Sequence, residues 1–277
     1  MNYMDIDKFY RYLYSSFGLE KSTANEYKSC INVYFRYLDK DPIIVNVSDI
    51  VHFFRYLYDQ GYSDSYMVVM LSALRTYYDY LIYNECATNN PARVFKRRFR
   101  TERKFPYVMS LEEMKEIVYL PYEKRLVEEM AFEESSVMMI LATSGIRVGE
   151  WKTVEYDPSK MQIKVYGKRN KERMIPIITK WFDYEKTKES YDYMFLEGNF
   201  EKYYPQKIEY IVRKYRRNKL ITPHTFRHTF ASLLIQEGID ILTLKDIMGH
   251  DSIYTTELYV HLNNKEIIDN LKKIGVI

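Results

Sequence analysis

A chain of 277 residues can bury two hydrophobic cores, and a net charge of only +3 does not by itself mark a nucleic-acid-binding protein. Its two cysteines, Cys30 and Cys86, are far apart and exclude a disulfide framework, which favours a reducing compartment. The acidic N-terminus differs from a signal peptide, and the most apolar stretch, residues 137–142, is too short to span a bilayer. We therefore expect a two-domain, soluble protein of the cytoplasm with no membrane partner.

The first 85 residues predict helices separated by short turns. Apolar residues recur at helical spacing in four segments, which begin near Ile6, Ser22, Ser48 and Ser63. The first is predicted to end at residue 17, the second near residue 39, and the third at Gly61. The aromatic stripes on these segments indicate a hydrophobic core rather than a surface for stacking bases. Residues 1–90 are therefore predicted to form a small helical domain.

A basic segment follows and is predicted to be the interdomain linker, residues 91–106. It carries a single acid, Glu102, among seven cations: Arg93, Lys96, Arg97, Arg98, Arg100, Arg103 and Lys104. A solvated connector would have this composition, and so would a segment that follows a phosphate backbone. We favour the second interpretation and predict that these cations bind DNA.

A second domain, residues 107–277, is predicted to begin at the capping-box pattern of Ser110 and Glu113. Helices are expected up to Gly145, and a β-hairpin is expected from the alternating segments at residues 161–165 and 174–177. Helices resume near Tyr204. The predicted fold class is mainly α, with a small β-hairpin in an α+β second domain.

Polar residues with possible chemical roles stand at element boundaries of this domain. Arg147 lies at the break between two helices, where pairing with Glu150 is the structural alternative, and Lys168 lies at the hairpin tip. His224 and Arg227 lie one turn apart at a helix start. His224 and His228 have zinc-helix spacing, but Thr225 stands where a zinc protease has its glutamate, so we predict no metal and no cofactor.

Five motifs in one order give these residues their context, because a lone tyrosine among 29 carries no signal. They are Thr-Ser-Gly-Ile-Arg at 143–147, Gly-Lys-x-Asn-Lys-Glu-Arg at 167–173, His-Thr-Phe-Arg-His-Thr-Phe at 224–230, Gly-His at 249–250 and Thr-Thr-x-x-Tyr at 255–259. This pattern resembles the tyrosine recombinase (phage integrase) family, in particular its compact Xer-like members. The resemblance spans nearly the whole chain.

The resemblance implies a site-specific recombinase that cleaves and rejoins DNA through a 3′-phosphotyrosine, without metal or ATP. It implies that residues 1–90 bind the core DNA site, that the two domains clamp the duplex, and that a tetramer works on two sites. The implied catalytic residues are Arg147, Lys168, Arg227, His250, the nucleophile Tyr259 and His224, the candidate general base toward the Tyr259 hydroxyl. Among the hairpin residues, Arg169, Lys171 and Arg173 are implied to contact DNA.

Two positions depart from the family pattern. Val148-Gly149-Glu150-Trp151 replaces the usual x-Ser-Glu-Leu after the arginine, and Arg169 replaces a glycine of the hairpin tip. Without that glycine the turn can differ, which leaves Lys171 as a rival to Lys168 for the catalytic lysine. The alternative function is a non-catalytic DNA-binding or architectural protein on the same scaffold. A metal-dependent nuclease would need carboxylates among the histidines, whereas the motifs contain mainly cations.

Overall fold

The computed structural model describes residues 5–96, 99, 105–124, 127–167, 171–250, 252, 256 and 259. The chain divides into two compact units, Met1–Arg103 and Lys104–Ile277, and each unit has its own hydrophobic core. Across the described ranges, no helix combines the length and the hydropathy that a membrane span requires. The mainly helical fold class with a small sheet is confirmed.

The N-terminal unit is a helical bundle around a core of aromatic side chains. Its helices are α1 (Ile6–Ser15), α2 (Lys21–Tyr37), α3 (Val47–Asp59), α4 (Asp64–Tyr83) and the short α5 (Pro91–Val94). Tyr34 and Tyr78 lie in the middle of this core, where their hydroxyls share a hydrogen bond of 2.7 Å. Phe53 packs edge-on against Tyr34. The aromatic stripes are core, as predicted, and burial of these rings drives the packing of the helices.

Two helix starts differ from the sequence prediction. Helix α3 begins after Asn46, whose side chain accepts from the backbone of Asp49 while the Asp49 carboxylate accepts from the backbone of Asn46. This reciprocal pair satisfies two backbone N–H groups, so it outcompetes Ser48 as a cap. Helix α2 begins one residue before Ser22. Ser63 caps α4 as predicted.

The C-terminal unit is built around one buried helix. Its helices are α6 (Leu111–Glu123), α7 (Glu128–Ser144), α8 (Tyr184–Tyr191), α9 (Pro205–Tyr215), α10 (Pro223–Gln236) and α11 (Ile241–Met248). Every residue of α7 from Ser135 to Ser144 is buried, because α6, α8, α9 and α10 pack around it. A 3₁₀ helix, Val148–Thr153, follows α7 and leads into the sheet.

The sheet has three antiparallel strands in the order β1 (Glu155–Asp157), β2 (Gln162–Tyr166) and β3 (Glu172–Pro176). Ile163 pairs with Ile175 and Val165 with Arg173, so the predicted hairpin is confirmed. Strand β1 is not predicted by the sequence, because its three residues are too few for an alternating pattern. The sheet follows α7 and the 3₁₀ helix in the chain. The tip of the hairpin between β2 and β3 lies outside the described residues.

Candidate active site

Two helices that end at a glycine deliver two of the predicted site residues. Gly145 ends α7 and Gly249 ends α11, both in the left-handed conformation, with φ values of 59° and 60°. A side chain at position 145 would collide with the ring of Phe230. These turns reverse the chain, and Arg147 and His250 follow directly. The motifs Ser-Gly-Ile-Arg and Gly-His therefore combine a helix end with a functional side chain.

Helix α10 supplies the central arginine. Thr222 and Thr225 form a capping box, and Pro223 occupies the first turn, so the sequence fixes where the helix begins. Arg227, only 4% exposed, donates to the carbonyl of Gly145 (2.7 Å) and to that of Met248. Its Nη2 also lies 3.2 Å from Nε2 of His250. One guanidinium thus connects the ends of α7 and α11.

Arg147 is held by a buried carboxylate that it shares with Arg173. Glu150, 5% exposed, accepts from Nη1 of Arg147 (2.9 Å) and from both terminal nitrogens of Arg173 (2.9 and 2.8 Å). Burial opposes ionisation of Glu150, but the bonds from Arg173 and Arg147 outweigh it and lower its pKa to about 2. Arg147 also donates to the carbonyl of Gly249 (3.1 Å), and about a third of its side chain stays exposed.

Tyr259 lies against the two histidines of the site. Its hydroxyl is 2.8 Å from Nδ1 of His228, and its ring stacks on His250 at 15° between planes. The side chain is buried, with 3% exposed. His250 in turn places Nδ1 at 2.9 Å from Oγ1 of Thr256. The second threonine of the Thr-Thr-x-x-Tyr motif therefore orients a histidine.

The positive charge of this site comes from its arginines, because its half-buried histidines, His228 and His250, are neutral. Burial and the nearby cations lower the pKa of His228 to about 4 and that of His250 to about 3. Burial and Arg147 lower the pKa of Arg227 to about 9, so it keeps its charge at neutral pH. Burial raises the pKa of Tyr259, and Arg227 and Arg147 oppose that rise. The hydroxyl is consequently protonated, beside neutral imidazoles and two guanidinium groups.

We expect the unit to lose stability as the pH falls below 6.5, where an unperturbed histidine begins to titrate. The folded chain keeps His228 and His250 neutral, so the unfolded chain binds more protons between pH 6.5 and about pH 4. At about 1.4 kcal/mol per pKa unit, and allowing for partial exposure, the combined loss is about 3 kcal/mol. Urea denaturation at several pH values measures it. His228→Gln should flatten the slope, and an unchanged slope would contradict the assignment.

The structure brings four of the predicted catalytic residues together: Arg147, Arg227, His250 and Tyr259. His224 lies in the first turn of α10, with its ring 6.4 Å from that of His228. Lys168 lies outside the described residues, as do Arg169 and most of the basic linker: Arg97, Arg98, Arg100, Arg103 and Lys104. In the described part of the chain, no three His, Cys, Asp or Glu side chains cluster as a metal site.

Arg173 is one of the predicted DNA-contacting residues that the structure describes, and its side chain bonds to groups inside the protein. Its side chain is 10% exposed, and besides Glu150 it donates to the carbonyl of Ile247 (2.8 Å). Arg93 pairs with Asp79 at 2.7 Å but leaves 65% of its side chain exposed. Lys96 is exposed, and so is Lys171 at the base of the hairpin.

Sequence reasoning missed the roles of three residues of the site. His228 was considered only as a zinc ligand, Thr256 only as part of a motif, and Glu150 only as a partner for Arg147. The signal for His228 is its i, i+4 spacing from His224, which puts the two histidines on the same face of α10. No signal in the sequence links Glu150 to Arg173, which is 23 residues away.

Comparisons with known proteins cover both units. Residues 108–266 match the phage integrase family, and residues 6–85 match the N-terminal SAM-like domain of phage integrases. The tyrosine recombinase XerD of Staphylococcus haemolyticus is 26% identical over 95% of both chains. The tyrosine recombinase XerC of Thermodesulfovibrio yellowstonii is 28% identical over 91% of this chain and 89% of its own.

Two solved structures share the fold. One is the Tn1549 transposon integrase in complex with transposon right end DNA, with a TM-score of 0.71, 16% identity and coverage of 99% and 100% of the two chains. The other is a lambda integrase dimer bound to a COC′ core site, with a TM-score of 0.67, 16% identity and coverage of 90% and 94%. At this identity the likeness concerns the fold alone.

Proposed function

The chain belongs to the phage integrase family and is a tyrosine recombinase, an enzyme that cleaves and rejoins DNA strands; we propose that Tyr259 is its nucleophile and duplex DNA its substrate. The observation that carries this proposal is the grouping of three predicted residues around Tyr259: His250 stacks on its ring, Arg227 contacts His250, and the charges of Arg227 and Arg147 oppose the rise in its pKa. These residues come from the ends of three different elements and meet only in the folded unit.

The proposed mechanism uses the arginines to stabilise charge. A phosphodiester repels nucleophiles, and its pentacoordinate transition state gathers negative charge on the non-bridging oxygens. Arg227 donates to two carbonyls, which leaves other N–H groups of its five for a phosphate. The exposed part of Arg147 supplies the second guanidinium. His250 is neutral, and its Nε2 accepts from Arg227, so its one ring proton lies on Nδ1 toward Thr256. We propose that its ring proton moves to Nε2 and is donated to the phosphate when DNA binds and takes over the hydrogen bond from Arg227.

The attack would transfer the 3′ phosphate to Tyr259 and release a 5′ hydroxyl. We propose that Lys168 protonates this leaving oxygen, with Lys171 as the rival, and that His224 contacts the phosphate. Because the phosphotyrosine conserves the energy of the broken bond, the 5′ hydroxyl of a partner duplex reverses the step without ATP.

A nicked suicide substrate tests the chemistry. The full chain first selects its site from random duplexes, and that site is then synthesised with a nick beside the scissile phosphate, so that a short fragment diffuses away after cleavage. Incubation in EDTA should give a protease-sensitive covalent protein–DNA band on a denaturing gel. A protein that only binds or shapes DNA gives a shifted band on a native gel and no covalent band, and that result would overturn the proposal.

The proposed assembly is a tetramer on two DNA sites, because exchange between two duplexes requires four strand cleavages. We propose that the segment at residues 264–273, which lies outside the described residues, forms the contact between subunits. Dimer resolution, integration and excision of a mobile element would all use this chemistry. A cytoplasmic location is part of the same proposal, since the substrate is DNA.

The basic linker should contribute affinity without sequence preference. Replacing Arg97, Arg98 and Arg100 by alanine should weaken binding to all duplexes similarly, because cations that neutralise phosphates release counterions. The slope of log affinity against log salt should fall by roughly 0.9 for each lost phosphate contact. Fluorescence anisotropy over a salt series measures both quantities. An unchanged affinity and slope would mean that the linker is only a connector.

A further inference from the structure

We propose that His228 accepts the proton of the Tyr259 hydroxyl during strand cleavage and returns it during rejoining. This inference rests on the proposed role of Tyr259 as the nucleophile. It assigns the general base to the residue that contacts the reacting oxygen, whereas the family resemblance points to His224.

One ring nitrogen of His228 lies within hydrogen-bond distance of the Tyr259 hydroxyl oxygen. Nδ1 of His228 lies 2.8 Å from Oη of Tyr259, which is within the 2.6–3.2 Å reach of a general base. Among the described residues, His228 is the hydroxyl's single hydrogen-bond partner. His224 is one turn earlier on α10, is exposed, and has no hydrogen bond to this hydroxyl.

The surroundings keep His228 in the form that accepts a proton. Burial, then the charges of His224 and Arg227, lower its pKa to about 4, so the imidazole is neutral at neutral pH and is a weaker base than a free histidine. Within the described residues, the other titratable groups that face it are Tyr259 and, across the tyrosine ring, His250. Since the tyrosine hydroxyl is protonated, it donates to Nδ1, and the ring proton of His228 lies on Nε2.

The step balances as one proton transfer coupled to one displacement. The Oη–H bond of Tyr259 breaks and an N–H bond forms at Nδ1, while the Oη–P bond forms and the bond from P to the 5′ oxygen breaks. The departing oxygen takes its proton from a separate acid, Lys168 in the proposed mechanism. In rejoining, a 5′ hydroxyl attacks the phosphotyrosine and the imidazolium of His228 protonates the leaving phenolate. No oxidant, reductant or cofactor is needed.

The decisive variant is His228→Asn. The Asn side-chain oxygen can accept the hydroxyl's hydrogen bond and so hold the tyrosine in place, but it cannot take the proton. Cleavage of the nicked substrate is measured in single turnover at saturating DNA across neutral and alkaline pH. We expect a rate about 100-fold or more below wild type at neutral pH, as for loss of a general base. The deficit should shrink by about tenfold per pH unit as hydroxide replaces the base.

Three further variants make the result specific. His224→Asn should slow cleavage by a factor that is the same at every pH, because that residue would act on the phosphate. His52→Asn, which changes an exposed histidine of the N-terminal unit, should cleave like wild type. His228→Gln guards against a folding defect, and thermal melting with gel-shift affinity confirms that each variant folds and binds.

The outcomes separate the two proposals. A His228→Asn enzyme that cleaves as fast as wild type, or faster, overturns the role of His228 while the adduct at Tyr259 stands. A deficit that is constant with pH also overturns it, because His228 would then only position the tyrosine. A pH-dependent deficit in His224→Asn instead assigns the base to His224. Absence of any covalent adduct with the wild-type chain overturns the proposed function and this inference with it.

Discussion

Tyr259→Phe should abolish the covalent protein–DNA adduct on the nicked substrate, with no residual band at any pH or protein concentration. The phenyl ring keeps the stacking on His250 but has no oxygen to form the phosphodiester. Loss of the hydrogen bond to His228 should lower the free energy of unfolding by only about 1 kcal/mol. DNA affinity in a gel-shift assay should therefore stay close to that of wild type.

The matched control for this prediction is Tyr254→Phe, which changes a tyrosine five residues earlier in the chain. It should retain the adduct, because position 254 lacks the Thr-Thr-x-x spacing of the motif. An adduct that persists in Tyr259→Phe, or disappears in Tyr254→Phe, would assign the nucleophile to a different residue. Tryptic mapping of the DNA-linked peptide distinguishes these cases directly.

Arg227→Ala should lower the single-turnover cleavage rate by about 1000-fold, the scale of removing one donor that stabilises transition-state charge. The same change should destabilise the C-terminal unit by roughly 2 kcal/mol, because the carbonyls of Gly145 and Met248 lose their donor. Stopped reactions on the nicked substrate give the rate, and urea denaturation gives the stability.

Arg227→Lys separates charge from geometry at this position. Lysine keeps the positive charge, but its single ammonium cannot reach two carbonyls and a phosphate in the fork that a guanidinium forms. We therefore expect little rescue of either rate or stability. Arg11→Ala, at an exposed arginine of α1, is the control for loss of a cation and should leave both unchanged. Full activity of Arg227→Lys would show that charge alone suffices.

The fold was predictable where one local signal decides. Ser63 as a cap, Gly145 as a helix end and the alternation around Ile163 each act within a few residues, and the structure has all three. Helix α3 starts one residue before the predicted Ser48, because Asn46 and Asp49 cap it. Asn46 with Asp49 satisfies two backbone groups, and Ser48 alone would satisfy one.

The ordered motifs made the members of the site predictable. The hydrogen bonds between those members were not predictable. The residues Arg147, Arg227, His250 and Tyr259 were found from their order and spacing, and the structure places them side by side. The contact of His228 with Tyr259 spans 31 residues, and it depends on how α10 packs in the folded unit. Such contacts have no local pattern, so a sequence without homologues does not reveal them.

The carboxylate of Glu150 has a consequence for how this enzyme can diversify. It binds both Arg147 and Arg173, and Arg173 lies on β3, the strand that leads back from the hairpin tip. If the hairpin contacts DNA as proposed, a substitution in β3 that altered its preferred DNA would also shift Arg147, which the proposed mechanism places at the phosphate. We therefore expect target preference and cleavage rate to change together when this hairpin is altered. Changes of target site should arise more readily on surfaces whose residues do not contact the carboxylate of Glu150.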